Sequence, residues 1–247
     1  MISQDIEWLL KEKYNGEKTE GFFTDCKSLV LGTPLAYLIG WVPFLGCKIY
    51  LDSHPLIPRP ETEYWVEKAI TEIKKTDTEK PYVLDLCAGS GCIGTAVAKA
   101  LKNSLVDFSE IDERQVPTIN KNLEKNSIQD DRYKVFHTSL FDASSNKKYD
   151  FILSNPPYID EKLERTEQTV IANEPYVALF GGKDGMEIVT QIIEQAPNFL
   201  NSGGQLWMEH EPEQSGAIKT LGGKNLFSVK VHKDQYGIER YSILVLQ

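Results

Sequence analysis

Between residues 82 and 246 the chain alternates short apolar runs with stretches in which apolar residues recur every third or fourth position. The short runs, at 82–86, 105–111, 133–138, 151–154, 205–209, 227–232 and 241–246, read as strands. Helical periodicity lies between several of them, at 93–102, 115–126 and 186–198. Such alternation predicts an α/β fold of βαβ units, with a mostly parallel sheet covered by helices on both faces. The last two runs leave no room for a helix between them, so that pair is predicted antiparallel. In this architecture a ligand binds beyond the carboxyl ends of the strands.

Ahead of residue 82 the pattern is different. Ile2, Ile6, Leu9 and Leu10 share one helical face, which Tyr14-Asn15-Gly16 ends. Residues 1–31 thus predict one short helix or two, too little chain to bury a core alone. Residues 32–60 are rich in Pro, Gly and aromatics, and the segments around Phe44 and 48–51 predict a hairpin turning at Leu45-Gly46. Pro58-Arg59-Pro60-Glu61-Thr62-Glu63 then opens a helix over 63–75, with Thr62 as its expected cap. Residues 76–80 are a polar linker. The expected division is an N-terminal helical segment at 1–31, a hairpin and linking helix at 32–80, and the main α/β domain at 81–247.

The first strand of the main domain runs into a glycine loop in which Gly89 to Gly94 spell GxGxxG. Glycines allow a sharp turn and let a ligand approach the backbone, and the following helix aims its free N–H groups at it. Glu110 ends the second strand, 21 residues after Gly89. An acid there can accept from both hydroxyls of a ribose. The spacing therefore specifies a nucleoside-containing cofactor, either a dinucleotide or S-adenosylmethionine. Asp85, just before the glycines, would repel a pyrophosphate and suits a cationic amino group. Cys87 and Cys92 read as small loop-packing residues without a redox role.

A second motif closes the fourth strand, where Asp150–Ser154 is followed by Asn155-Pro156-Pro157-Tyr158. Two prolines cannot continue a central strand, and each holds the residue before it extended. Asn155 and the nearby backbone carbonyls are thereby presented in fixed directions. They are acceptors, suited to a planar –NH2 group whose lone pair is delocalised and therefore weakly nucleophilic. Tyr158 can stack on such a target, and no histidine is close in sequence to act as a base.

Composition narrows the partners. Lys plus Arg is 27 and Asp plus Glu is 36, a formal charge of −9. That opposes non-specific nucleic-acid binding, which needs basic surface. The four cysteines (Cys26, Cys47, Cys87, Cys92) and four histidines (His54, His137, His210, His232) have no zinc-ligand spacing, so no metal is expected. No apolar run reaches the ~18 residues that cross a bilayer. The N-terminus lacks a signal-peptide pattern, so reduced thiols in the cytoplasm are expected.

Asp85–Gly94 followed by Asn155-Pro156-Pro157-Tyr158 resembles the class I S-adenosylmethionine-dependent methyltransferases that modify planar nitrogens. Pro34-Leu35-Ala36-Tyr37-Leu38-Ile39-Gly40, Leu56 through Glu63, Glu174-Pro175, Ala178 through Gly185 and Lys233 through Arg240 narrow the resemblance. Together they are similar to the HemK family, the peptide chain release factor N5-glutamine methyltransferases, over about residues 32 to 247. The resemblance implies a Rossmann-like fold with a seven-stranded, mostly parallel sheet and an antiparallel last strand. It implies methyl transfer from S-adenosylmethionine to the glutamine amide of the Gly-Gly-Gln loop of a release factor. Asn155, Pro156 and Tyr158 would be catalytic. Asp85, Gly89, Gly91, Glu110, Ile111, Leu140, Phe141 and Asn155 would contact the cofactor. Asn155, Pro156, Pro157, Tyr158, Arg59 and Glu61 would contact the substrate. A surface pair of Arg59 with Glu61 or Glu63 at the helix entry is the competing expectation for Arg59.

The family usually has an acid where Ser139 stands, a glycine where Cys87 stands, and a larger helical region than the 31 residues before Gly32. A glutamine on a ribosomal protein, or the N6 amine of adenine in a nucleic acid, would suit the same pocket chemistry.

Overall fold

The computed structural model describes residues 2–142 and 147–247. Helices α1 (Ile2–Glu12) and α2 (Glu20–Val30) pack on each other, and the short α3 (Leu35–Ile39) follows. Thr19 caps α2 by accepting from the Phe22 N–H, and Tyr14 packs edge-on to Phe22 with centroids 5.6 Å apart. The expectation of one helix or two resolves to two.

The predicted hairpin is present as β1 (Trp41–Phe44) and β2 (Cys47–Tyr50). Its turn places both Leu45 and Gly46 at positive φ, 45° and 74°. That conformation matches the right-handed twist of the strands in a two-residue turn. The outer edge of β2 is satisfied by side chains of a later helix, α6 (Val116–Lys125), and the residue after it. The Tyr50 N–H donates to Asn122 Oδ1 at 2.7 Å and the Lys48 N–H to Asn126 Oδ1 at 3.1 Å. Asn122 Nδ2 returns a bond to the Tyr50 carbonyl and another to Ser90 O in the glycine loop. The hairpin and the glycine loop are thus tied to the same helix.

Helix α4 spans Pro60–Ile73, with Arg59 at its N-cap position and Pro60 opening the first turn. Proline suits that position because its missing N–H would have no helical partner. Thr62, expected to cap this helix, lies inside the first turn instead. Its hydroxyl donates to Glu209, and the N-cap position falls to Arg59.

The main sheet has seven strands: β3 (Tyr82–Leu86), β4 (Leu105–Glu110), β5 (Tyr133–His137), β6 (Tyr149–Ser154), β7 (Leu200–Glu209), β8 (Phe227–Lys233) and β9 (Glu239–Leu246). Their order is β5-β4-β3-β6-β7-β9-β8, parallel from β5 to β7, with β9 antiparallel to both β7 and β8. Side chains alternate across it. Val83, Phe151, Leu153 and Trp207 join a core with α4, α5 (Cys92–Ala100) and α6. Leu84, Leu86, Ile152, Leu206 and Met208 join another with α9 (Glu187–Gln195) and α10 (Ser215–Lys224). Burial on both faces is why these strands read as unbroken apolar runs. Phe44, Ile49 and Leu51 of the hairpin region belong to the first of these cores. Between β6 and α9 lie two short helices, α7 (Gln168–Asn173) and α8 (Tyr176–Leu179). Among the described residues no helix is long and apolar enough to cross a membrane.

Candidate active site

Strand order reverses direction at β3, whose neighbours are β4 on one side and β6 on the other. A crevice opens at such a point, beyond the carboxyl ends of the strands. It holds a cavity of ≈ 280 Å³ lined by Cys87, Ala88, Gly89 and Ser90 after β3, by Glu110 and Ile111 at the end of β4, and by Asn155 and Pro157 after β6. Ser139 and Leu140 line it too, with Leu56 and the segment Pro175 to Ala178.

The glycine loop is shaped from below. Cys87, at φ 61°, takes the left-handed conformation that a glycine would adopt more cheaply. A Cβ at Gly89 would meet nothing within 4 Å, so this glycine borders open space. A Cβ at Gly91 would meet Ile119 at 3.0 Å, and one at Gly94 would strike the Phe108 ring at 2.3 Å. The first glycine faces the cavity and the other two let α5 pack.

Glu110 is 6% exposed and braces the loop from the side. Its Oε2 accepts the Gly89 N–H at 2.7 Å and its Oε1 the Asp112 N–H at 2.8 Å. Burial raises its pKa despite these donors. The carboxylate also lines the cavity, and each of its oxygens can accept more than one hydrogen bond.

Three expected cofactor contacts stand behind the wall. Asp85 is fully buried, with Oδ2 accepting the Gly94 N–H at 2.8 Å and Oδ1 unpartnered. Burial pushes its pKa up to about 8. It lies under the loop because it is on the sheet face that α5 covers. Gly91 caps α5 and faces Ile119. Phe141 is 1% exposed and stacks on Phe199 with centroids 4.5 Å apart, a core role. The neighbouring Leu140 lines the cavity.

A second cavity, of ≈ 260 Å³, shares Asn155, Leu56 and Ala178 with the first. Arg59, Pro156, Tyr158, Asp160 and Arg165 also line it. Asn155 stands at the junction, its Nδ2 donating to Thr62 Oγ1 at 3.2 Å. The strand stops at Ser154, as the two prolines require, and the Ser154 hydroxyl donates to Leu86 O at 2.7 Å. The segment is clamped from outside by Gln214, whose Nε2 donates to Tyr158 O at 2.8 Å. Gly181 and Gly185 bring a second backbone against it. Cβ atoms there would lie 2.5 Å from Pro157 O and 2.0 Å from Tyr158 O.

Arg59 pairs with neither Glu61 nor Glu63. Its guanidinium meets Glu174 Oε1 at 2.5 Å, and Glu174 Oε2 accepts the Ile57 N–H at 3.0 Å. This bridge ties the start of α4 to the segment that roofs both cavities. Glu63 instead accepts the Leu45 N–H. Glu61, an expected substrate contact, lines neither cavity.

Sequence reasoning missed Glu209, at the end of β7 and 1% exposed. It accepts from Thr62, Trp65 and the Tyr158 hydroxyl. Burial raises its pKa, and burial together with this carboxylate holds the Tyr158 phenol well above its usual value. An acid ending a strand next to the crevice is the signal that was present. His210, its neighbour, is buried and held by Ser242 Oγ and Glu211 O, lining neither cavity.

A family model described as Methyltransferase small domain matches residues 69–173. The release factor glutamine methyltransferase of Rhodopirellula baltica is 37% identical over 215 residues, 85% of this chain and 72% of that protein. Its counterpart in Streptococcus pneumoniae is 32% identical over 244 residues, 97% of this chain and 85% of that protein. Among solved structures, the ribosomal protein L11 methylase of Lactobacillus delbrueckii subsp. bulgaricus superposes with a TM-score of 0.57 at 17% identity. It covers 79% of this chain and 82% of that one, and the likeness shows the fold alone. The extent and identity of the first two matches place this chain in the release factor glutamine methyltransferase family.

Proposed function

We infer that this chain methylates the side-chain amide nitrogen of the glutamine in the Gly-Gly-Gln loop of a peptide chain release factor, using S-adenosylmethionine, in the cytoplasm. The observation that carries this reading is the meeting of two cavities at Asn155, within a chain of this family.

The larger cavity fits an adenosyl cofactor without a pyrophosphate. Among the described residues no Lys or Arg lines it, while Glu110 and Asp112 do. Phosphates would need cations there; a ribose and a cationic sulfonium or amino group suit acids. Glu110 would accept from the ribose hydroxyls. Leu140 and Ile111 supply apolar surface for the base, with Ser139 beside them. S-adenosylmethionine, when bound, supplies an electrophilic methyl group.

The chain's own part is to make a poor nucleophile competent. Asn155 Oδ1 and the Pro156 carbonyl oxygen accept the two N–H bonds of the target carboxamide. That orients its nitrogen and draws its protons away as positive charge develops. Tyr158 and Pro156 bound the amide slot, and Arg59 keeps its roof in place through Glu174. No strong base is needed, because the nitrogen gives up its proton after the bond has formed.

The test is methyl incorporation into a purified release factor, compared with the same factor carrying Gln→Ala in the loop. Labelling of the first and not the second is expected. Equal labelling of both rejects the reading.

A further inference from the structure

Glu209 draws together three donors that sequence reasoning kept apart. The Thr62 hydroxyl lies 2.8 Å from Oε2, the Trp65 Nε1 2.7 Å from the same oxygen, and the Tyr158 hydroxyl 2.8 Å from Oε1. An indole N–H can only donate and favours the unprotonated oxygen of a carboxyl group, so Oε2 is the acceptor and any carboxyl proton sits on Oε1. Thr62 has one hydroxyl proton, and it is committed to Oε2. What the Thr62 oxygen offers to its other neighbour is a lone pair.

That neighbour is Asn155 Nδ2, at 3.2 Å. The oxygen and nitrogen of a carboxamide are nearly the same size, so packing alone barely distinguishes the two orientations of Asn155. Hydrogen-bond polarity does. Turned the other way, Asn155 would set its oxygen against the lone pair of the buried Thr62 hydroxyl and leave two acceptors facing each other without a donor. With its –NH2 toward Thr62, Asn155 turns Oδ1 away from it, and among the described residues nothing donates to that oxygen.

We propose that Glu209, acting through Thr62, is the positioning residue that makes Asn155 present an acceptor at the cavity junction. The proposal rests on the reading of Asn155 as the acceptor for the target amide, and it adds the reason that an amide which can flip does not.

Thr62→Val deletes the hydroxyl while keeping the side-chain shape. It is expected to lower kcat about tenfold. Thr62→Ser, which keeps the hydroxyl, restores most of kcat. Wild-type kcat in Thr62→Val overturns the proposal, as does an equal deficit in Thr62→Ser, which would implicate the methyl group. A nitrogen–proton correlation spectrum of side-chain amides, with Asn155→Ala for assignment, reads the same relay without turnover. One Asn155 amide proton should exchange slowly in the wild type and quickly in Thr62→Val; no difference between them overturns the proposal. If the wild type leaves release factor unlabelled, the functional reading fails while the spectrum still decides the relay.

Discussion

The acids around the glycine loop show how burial decides what a carboxylate does. Glu110 keeps one edge on the cavity, so its replacement should register in cofactor binding. Glu110→Ala is expected to weaken S-adenosylmethionine binding by about 1–3 kcal/mol, the range for lost hydrogen bonds to a charged group. Calorimetric titration checks this, and an unchanged affinity would contradict it. Asp85, sealed beneath the loop, should register in stability instead. Its folded-state pKa is pushed up to about 8, above its ordinary value of 3.8. The folded chain therefore holds this proton more tightly than the unfolded one. That contribution to stability is full below about pH 4 and is lost as pH rises toward 8. Asp85→Asn removes the titration, so the fall in denaturation midpoint between about pH 5 and about pH 8 should be smaller in the variant. Equal falls would contradict the assignment.

At the scale of elements, the strands of the sheet were legible in the sequence, because burial on both faces leaves unbroken apolar runs between polar turns. The hairpin and its turn were legible for a similar reason, since Gly46 accepts the positive φ the turn demands. Helix α10 was not. Its sequence carries Gly216, Gly222 and Gly223, which lower helix propensity and blur the periodicity. The structure supplies the reason for one of them. A Cβ at Gly222 would lie 2.4 Å from Val229, so close packing on β8 overrides propensity. Of the site, the glycine loop, Glu110 and Asn155 were legible because their chemistry is local in sequence. Glu174 and Glu209 were not recognised as site partners, because their partners Arg59 and Thr62 are 115 and 147 residues away. The Arg59–Glu174 bridge carries its own prediction. Glu174's side chain is 1% exposed and Arg59's 34%, so Arg59→Ala strands a buried acid. With partial solvent access on the Arg59 side, a loss of about 1–3 kcal/mol is expected, below the range for a fully buried pair. Hydrogen exchange of residues 174–179 should accelerate, and unchanged protection there would contradict a stapling role.

For the whole molecule, the sheet brings together two cavities of similar size that share Asn155, Leu56 and Ala178. That arrangement separates binding from transfer. The cavity proposed for the cofactor draws on the ends of β3 and β4, and the proposed amide slot on the segment after β6, clamped by Gln214 and the 181–185 turn. Loss of the Asn155 side chain should therefore leave one cavity working and disable the other. The most direct measurement is the single-turnover rate of methyl transfer to release factor by Asn155→Ala, taken beside its S-adenosylmethionine affinity. Transfer abolished with affinity near that of the wild type is the predicted result. Transfer at the wild-type rate would contradict the assignment of Asn155 as the group that grips the amide.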